Sequence, residues 1–227
     1  MHQFFVDSLS VEIPELGAEE YQHATKSLRI RDGEQIRLTD GKGKLAIAEF
    51  GEPLKIIELW SAKPVQPVIH VVQALAKGDR DELAIQTSTE LGAAKFTPWQ
   101  SERSIIRWDE KKAAKGVGRW QSIANEATKQ SHQAWVPLVT SLARNTDFAI
   151  TGQLIVLDPD AEQSLTSMSI ENEVTLVVGP EGGISDNELQ NLVARGAQLA
   201  SLGNSVFRTS TAAPAAIATI RTLHGWG

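Results

Sequence analysis

The residues best suited to chemistry lie in one short loop, 179–185, which reads Gly-Pro-Glu-Gly-Gly-Ile-Ser. An unbroken apolar and β-branched run, 174–178, precedes it and predicts a strand buried on both faces. Ser185, with Glu188 three residues later, forms a capping-box pattern, so a helix is expected to begin there, and Gly196 stands where that helix should end. In open α/β sheets, ligands bind in such strand-to-helix loops at the carboxyl ends of strands.

The loop favours close approach of a ligand to the backbone. Pro180 fixes one φ angle and the two glycines that follow Glu181 free the next two. No Gly-Lys-Ser/Thr sequence follows, and the Gly-x-Gly-x-x-Gly spacing is absent, so a phosphate ligand is not indicated. From this loop alone, an ordinary turn between a strand and a helix remains an equal interpretation.

A second loop of the same kind, 201–212, is rich in small and hydroxyl residues. A short apolar run at 199–202 predicts a strand before it, and a helix is expected over 212–223, capped by Ser210 or Thr211. Pro214 falls in the first turn of that helix, where a missing N–H does no harm. Two consecutive loops are therefore expected at one edge of a sheet.

These two motifs carry a resemblance to a known family. Gly-Pro-Glu-Gly-Gly-x-Ser, followed by Leu-Gly-x-x-Val-x-Arg-Thr-x-Thr-Ala, resembles the bacterial small-subunit ribosomal RNA uridine-N3 methyltransferases, the RsmE family. Weaker matching stretches cover nearly the whole chain in the family's order: 23–31, 40–43, 90–92, 101–104 and 119–131. The sequence departs from many relatives at four positions, which bear on substrate contacts more than on the cofactor site: Lys129, Gln133, Ser205 and Ser210.

The resemblance implies a fold, a cofactor and partners. The expected fold is α/β, with a knotted, mainly parallel sheet of the SPOUT type after a small PUA-like β-barrel domain. The expected activity is methylation of N3 of a uridine in 16S ribosomal RNA by S-adenosylmethionine. The expected partner is small-subunit RNA within the assembled subunit. Proteins of this type are usually homodimers. The apolar stripe of Ala212, Ala216 and Ile220 suits a close contact between helices, although a core helix would have the same pattern.

The candidate site residues follow from the loops together with the resemblance. Those expected to bind the cofactor are Leu157, Val178, Gly179, Pro180, Glu181, Gly182, Gly183, Leu202, Gly203, Val206, Phe207, Arg208, Thr209, Thr211 and Ala212. Uracil N3 must lose a proton before it accepts a methyl group. Arg208 or Arg103 could stabilise the resulting anion, and Glu181 is the best carboxylate for a base or a ribose contact. Alternatively, Glu181 only caps its loop and Arg208 only pairs with an acidic neighbour.

The chain divides into two predicted domains, 1–67 and 68–227. The first shows half-buried strands over 4–6, 34–38 and 45–50, an Asp40-Gly41 hairpin turn, and one helix over 19–28. The second alternates strands with helices, which predicts a mainly parallel sheet with helices on both faces. Its predicted strands are 68–75, 95–99, 154–157, 174–178 and 199–202, and a Pro-containing stretch at 62–67 is expected to link the two domains.

Charge is distributed unevenly along the chain. The formal net charge is −6, yet residues 77–132 carry 10 basic and 8 acidic side chains, a local charge of +2. This middle region is either a solvated helix face or an RNA-binding face. The resemblance, in which the PUA-like domain helps to bind RNA, implies a set of RNA-binding residues: Lys26, Arg29, Arg31, Arg103 and Arg107. The first three form a basic cluster at the end of the first helix, although charges on a small barrel are often only solubilising.

Composition excludes several classes of protein. There are no cysteines, so neither a disulfide framework nor a cysteine–zinc site is possible, and no metal site is expected. No apolar run is long enough to span a membrane, and the N-terminus lacks signal-peptide features, which predicts a cytoplasmic protein. Two other functions stay open: an RNA-binding protein with a degenerate catalytic site, and an unrelated nucleotide-binding α/β enzyme.

Overall fold

The computed structural model describes residues 1–10 and 14–224. The chain divides into two compact units, each made of two segments. The first unit comprises residues 1–64 and 126–136, and the second comprises 65–125 and 137–227. The first break therefore falls three residues before the expected domain boundary, whereas the return of 126–136 to the first unit had no signal in the sequence.

The first unit contains a four-stranded sheet with the order β1-β2-β3-β4. Strand β1 runs parallel to β2, and the other neighbours are antiparallel. The strands are Gln3–Phe5, Gln35–Thr39, Lys44–Glu49 and Lys55–Ser61. The expected helix is present as α1, Ala18–Gln22, continued by a π-helical stretch, His23–Ser27. The hairpin turn between β2 and β3 is also confirmed, with the Asp40 carboxylate accepting the backbone N–H groups of Lys42 and Lys44.

The second unit is built on a six-stranded, entirely parallel sheet with the order β10-β8-β9-β5-β6-β7. This confirms the predicted fold class. The strands are Val68–Ala74, Lys95–Trp99, Leu138–Val139, Gln153–Leu157, Glu173–Val178 and Gln198–Ala200, numbered β5 to β10. The helices are α2, Arg80–Glu90; α3, Glu110–Gln130; α4, Asp186–Ala194; and α5, Thr209–His224. None of the helices in the described part of the chain is both long and apolar enough to cross a membrane.

Helices cover both faces of this sheet, as the alternation predicted. Along β5, Ile69 and Val71 pack in one apolar cluster with residues of α2, α3 and α5. Val72 and Ala74 point to the other face, where Leu192 of α4 packs. Successive residues of a strand point to opposite faces, so a strand buried on both faces must be largely apolar. Residues 68–74 of β5 and 174–178 of β9 are accordingly apolar except at His70, Gln73 and Thr175, whose buried side chains form hydrogen bonds.

One local prediction for α5 was wrong, and the alternative of a core helix holds for its apolar stripe. The helix begins at Thr209, so neither Ser210 nor Thr211 precedes it as a cap. The stripe of Ala212, Ala216 and Ile220 is buried in the core of its own unit. The small side chains let α5 pack closely within the chain, and the stripe is therefore not available to a second copy. By contrast, the Ser185–Glu188 capping box at α4 is complete.

Candidate active site

Three adjacent strands end at one cavity. In the order of the sheet, β10, β8 and β9 are neighbours, and their last residues, Ala200, Leu157 and Val178, all line a cavity of about 570 Å³. Because the strands are parallel, their carboxyl ends meet at one sheet edge, where ligands bind in open α/β folds. The loops that follow these strands supply most of the remaining lining.

Most of the residues proposed to bind a cofactor border this cavity. They are Leu157, Val178, Gly179, Pro180, Glu181, Gly183, Leu202, Val206, Phe207, Arg208, Thr209 and Ala212. Gly182, Gly203 and Thr211 are not among the lining residues. A Cβ on Gly182 would stand 3.2 Å from both Cβ and the carbonyl oxygen of Arg103, so this glycine makes room for a neighbouring loop.

Thr209 joins the two loops that the sequence singled out. Its hydroxyl donates to the carbonyl oxygen of Gly179 over 2.9 Å and accepts the side-chain amide of Gln73 over 2.9 Å. Thr209 and Gln73 are both buried. Buried hydrogen bonds of this kind fix relative position, because leaving either partner unpaired carries a desolvation penalty. The first loop is therefore tied to the start of α5.

The Gly-Pro-Glu-Gly-Gly loop is also tied to the segment 101–104. Glu188 is only 4% exposed, and its carboxylate accepts the backbone N–H groups of Ser185 and of Glu102, over 3.1 and 2.8 Å. Arg103 reaches back to the same loop, with its guanidinium donating to the carbonyl oxygens of Gly182 and Ile184 over 3.4 and 3.3 Å. Arg103 is thereby held at the cavity that it lines.

The carboxylate of Glu181 lines the cavity and is held by hydrogen bonds and an ion pair. Its carboxylate accepts the backbone N–H of Lys77 over 3.2 Å and the guanidinium of Arg80 over 3.0 Å. Burial alone would raise the pKa of Glu181, but backbone N–H groups, including that of Lys77, and the charge of Arg80 outweigh burial and hold this pKa below its usual range. A carboxylate with a lowered pKa is a weak proton acceptor at neutral pH.

Arg208 differs from the other two arginines of the cavity. Its side chain is exposed, and in the described part of the chain no hydrogen bond or ion pair engages its guanidinium. The alternative that Arg208 merely pairs with an acidic neighbour therefore has no support. Its guanidinium is always charged and presents several N–H donors, so it is free to act on an anionic group that enters the cavity.

Sequence reasoning missed several lining residues, notably Asp158, Asp160 and Arg80. The two aspartates follow β8, and Asp158 accepts the backbone N–H of Asp160 over 3.0 Å. Their position directly after a predicted strand was the signal that could have found them. Arg80 gave no such signal, since it lies at the start of α2 and its partner Glu181 is 101 residues away in the sequence.

The residues proposed to bind RNA lie in both units. Lys26, Arg29 and Arg31 are exposed in the first unit. Arg107 belongs to the second unit and donates to the carbonyl oxygen of Glu102 over 2.6 Å, and it is not part of the cavity lining. The basic middle region is partly neutralised, because Arg119 pairs with Glu82 and Lys129 pairs with Glu20 and Glu126.

Comparisons with known proteins define the class. A family model described as an RNA methyltransferase domain matches residues 63–221, and a second, described as an RNA methyltransferase PUA domain, matches residues 16–57. The chain thus belongs to the class of RNA methyltransferases with an N-terminal PUA domain.

Individual relatives identify one family within the RNA methyltransferases. The chain is 36% identical to the ribosomal RNA small subunit methyltransferase E of Mycobacterium bovis, over 97% of this chain and 91% of that protein. It is 30% identical to the Bacillus subtilis protein of the same name, over 93% of each. A Neisseria gonorrhoeae protein of that name, solved with S-adenosyl methionine, superposes with a TM-score of 0.83 at 28% identity and 98% coverage of both chains. The chain belongs to the ribosomal RNA small subunit methyltransferase E family.

Proposed function

We propose that this protein transfers a methyl group from S-adenosylmethionine to N3 of a uridine in small-subunit ribosomal RNA. The observation that carries the proposal is the convergence of two loops, 179–185 and 201–208, on one cavity at the ends of three parallel strands. Family membership supplies the class of reaction, and the S-adenosyl methionine in the related Neisseria structure supports the same ligand here.

The cavity fits S-adenosylmethionine in size and chemistry. Its volume lies within the range usual for small-molecule sites, about 300–1,000 Å³. Leu157, Leu202 and Val206 offer apolar walls to the faces of an adenine. Asp158, Asp160 and Glu181 offer negative charge to a cationic ligand. When bound, S-adenosylmethionine supplies an electrophilic methyl group on a positively charged sulfur.

The uracil ring must lose its N3 proton in order to accept the methyl group. In the proposed reaction a bond forms between N3 and the methyl carbon, the carbon–sulfur bond breaks, and the N3 proton is lost to a base. Arg208 would stabilise the negative charge that develops on the uracil as that proton leaves, because its guanidinium is charged and otherwise unengaged. Glu181 is proposed as a cofactor contact, and its lowered pKa argues against the role of base.

Arg103 is proposed to act on the RNA. Its guanidinium is held by the carbonyl oxygens of Gly182 and Ile184, and its side chain remains about half exposed at the cavity. That placement suits a contact with the target nucleotide, either with a phosphate or with a uracil oxygen. Lys26, Arg29, Arg31 and Arg107 are proposed to contact RNA phosphates elsewhere.

The setting of the reaction is also part of the proposal. The partner is small-subunit ribosomal RNA within an assembled subunit, the protein acts as a homodimer, and it acts in the cytoplasm, where ribosomes are built.

A knotted path of the chain through the second unit remains a prediction from the resemblance. A dimer contact must use a surface other than the buried stripe of α5.

Cofactor binding is the direct test of this function. Calorimetric titration of the protein with S-adenosylmethionine should give saturable binding, and ATP under the same conditions should give none. Binding of RNA without any binding of S-adenosylmethionine would instead favour an RNA-binding protein with a degenerate site. Two departures from the relatives favour that alternative: Ser205, which lines the cavity, and Ser210, which is buried in α5.

A further inference from the structure

Trp135 in the first unit is an exposed aromatic ring that is held rigidly. It is 40% exposed, and its indole N–H donates to the carbonyl oxygen of Ala62 over 3.0 Å. One part of the ring lies so close to Gly43 that a Cβ there would overlap it. The backbone N–H of Gly43 donates to the carbonyl oxygen of Ala134, and Trp135 forms a backbone bridge with Lys42. The ring therefore loses little conformational freedom on binding a ligand.

Two lysines lie next to the backbone groups that hold this ring. Lys42 is the bridge partner of Trp135, and Lys63 follows Ala62 directly. Both are exposed, and in the described part of the chain neither ammonium group forms an ion pair. The carboxylate of Asp40, in the same turn as Lys42, accepts the backbone N–H groups of Lys42 and Lys44. Positive charge beside the ring is thus available to an anionic partner.

Arg37 and His2 lie near the other end of the segment that carries Trp135, and the backbone N–H of Arg37 donates to the carbonyl oxygen of His2 over 2.9 Å. The pKa of His132 is lowered by burial, and also by the positive charges of Arg37 and His2. Nε of Arg37 is buried without a hydrogen-bond partner. The side-chain amide of Gln3 donates to the carbonyl oxygen of Gln133 over 2.9 Å, which fixes the segment beside β1. Residues 132–135 therefore run from the neighbourhood of Arg37 to the tryptophan, and His132 itself, with its lowered pKa, is largely uncharged at neutral pH.

We propose that this basic strip, formed by His2, Arg37, Lys42, Lys63, His132 and Trp135, binds a single-stranded stretch of RNA. One unpaired base stacks on Trp135, and the neighbouring phosphates lie at Lys42, Lys63 and Arg37. Single-stranded RNA is commonly held by aromatic rings on which bases stack, beside cations that follow the backbone. A protein partner would need a broader apolar core than one ring among cations offers. The inference rests on the proposed function only in taking RNA as the substrate class.

Stacking is tested with two RNA probes of equal length, an oligouridine and its abasic counterpart, without S-adenosylmethionine. Trp135→Ala should weaken binding of oligouridine roughly 5- to 100-fold and leave binding of the abasic strand unchanged. Trp135→Phe, which keeps a planar ring, should retain most of the affinity. The matched control is Ile57→Ala, at another exposed apolar side chain of the first unit. It should change neither the affinity for oligouridine nor the affinity for the abasic strand. Equal effects on both probes, no effect on either, or no binding of oligouridine at low salt would overturn the proposal.

The cations are tested by salt dependence. Replacing both Lys42 and Lys63 with alanine should reduce the slope of log affinity against log salt by up to about 0.7 for each lost phosphate contact. Lys55→Ala, at an exposed lysine at the start of β4, should leave the slope unchanged. If Trp135→Ala weakens binding to small subunits but not to protein-free ribosomal RNA, the partner is a ribosomal protein and the proposal fails. These binding assays need no methylation, so this inference and the proposed function can fail separately.

Discussion

The hydroxyl of Thr209 donates to the carbonyl oxygen of Gly179 over 2.9 Å, and this bond joins the two loops of the cavity. Thr209→Val preserves the shape of the side chain but leaves Gly179 and Gln73 without this partner. The free energy of unfolding should fall by about 1–3 kcal/mol, because buried polar groups lose a hydrogen-bond partner. The affinity for S-adenosylmethionine should fall as well, because the two loops are no longer fixed relative to each other. Denaturant titration and calorimetry measure the two effects.

Thr211→Val is the matched control for this prediction. Thr211 lies two residues after Thr209 in α5, but its side chain is exposed and it is outside the cavity lining. Its replacement should change neither quantity appreciably. If the two valine variants bind S-adenosylmethionine equally well, the bond between Thr209 and Gly179 does not organise the site.

Glu188 should act through Arg103. Its carboxylate fixes the backbone of Glu102, and so the position of the next residue, Arg103, at the cavity. Glu188→Gln should lower kcat for RNA methylation while the KM for S-adenosylmethionine changes little. In an Arg103→Ala background the same change should have a much smaller effect, because residues in one network are not additive. Equal effects in both backgrounds would show that Glu188 serves only the stability of α4.

The roles of the arginines should separate in kinetics. Arg208→Ala should lower kcat roughly 100-fold or more with little change in RNA affinity, as expected for lost stabilisation of developing charge. Replacing Arg29 and Arg31 together with alanine should weaken RNA affinity and flatten its salt dependence, with kcat near that of the unaltered protein at saturating RNA. The reverse pattern, a loss of affinity from Arg208→Ala and a loss of kcat from the double variant, would mean that the roles are wrongly assigned.

His70 should make the second unit sensitive to acid. The ring is buried, with Nε2 2.8 Å from the hydroxyl of Thr97, and burial followed by the charge of Lys95 lowers its pKa to about 3. The unfolded chain takes up a proton as pH falls through about 6.5, whereas the folded chain does not until about pH 3. Stability contributed by neutral His70 is therefore fully present above pH 6.5 and is lost between these two values.

The slope of stability against pH measures this effect. One proton of difference corresponds to about 1.4 kcal/mol per pH unit. Between pH 6 and 4.5, His70→Gln should lose stability less steeply than the unaltered protein, by up to that amount per unit. Parallel stability curves for the two proteins would mean that His70 does not stay neutral in the fold.

Local signals allowed accurate predictions of this fold. The capping box at Ser185 depends on residues three apart, and both of its hydrogen bonds form as expected. The parallel sheet followed from apolar runs that alternate with helical patterns. Strand β4 was missed, since its side chains are largely exposed and give no alternation, and β7 has only two residues. The assignment of 126–136 to the first unit depends on contacts far apart in sequence, such as the bond from Gln3 to Gln133.

In the candidate site, too, features set by local sequence were predictable and features set by contacts distant in sequence were not. Residues of the two loops could be named because glycine and hydroxyl residues cluster after strands. The partners that hold those loops could not, because the bonds of Glu188 to Glu102 and of Gln73 to Thr209 span 86 and 136 residues. Gly182 was expected to face the ligand, yet the space that it leaves is taken by Arg103, which comes from another loop.

The central claim is methylation of uridine N3 in small-subunit ribosomal RNA. Small subunits from cells that lack this protein should be incubated with the purified protein and S-adenosylmethionine, and the nucleosides should then be identified by mass spectrometry. N3-methyluridine should appear, at up to one per subunit, and should be nearly absent with the Arg208→Ala variant. Methylation of another base or another atom, or no methylation by a protein that binds S-adenosylmethionine, would contradict the proposed function.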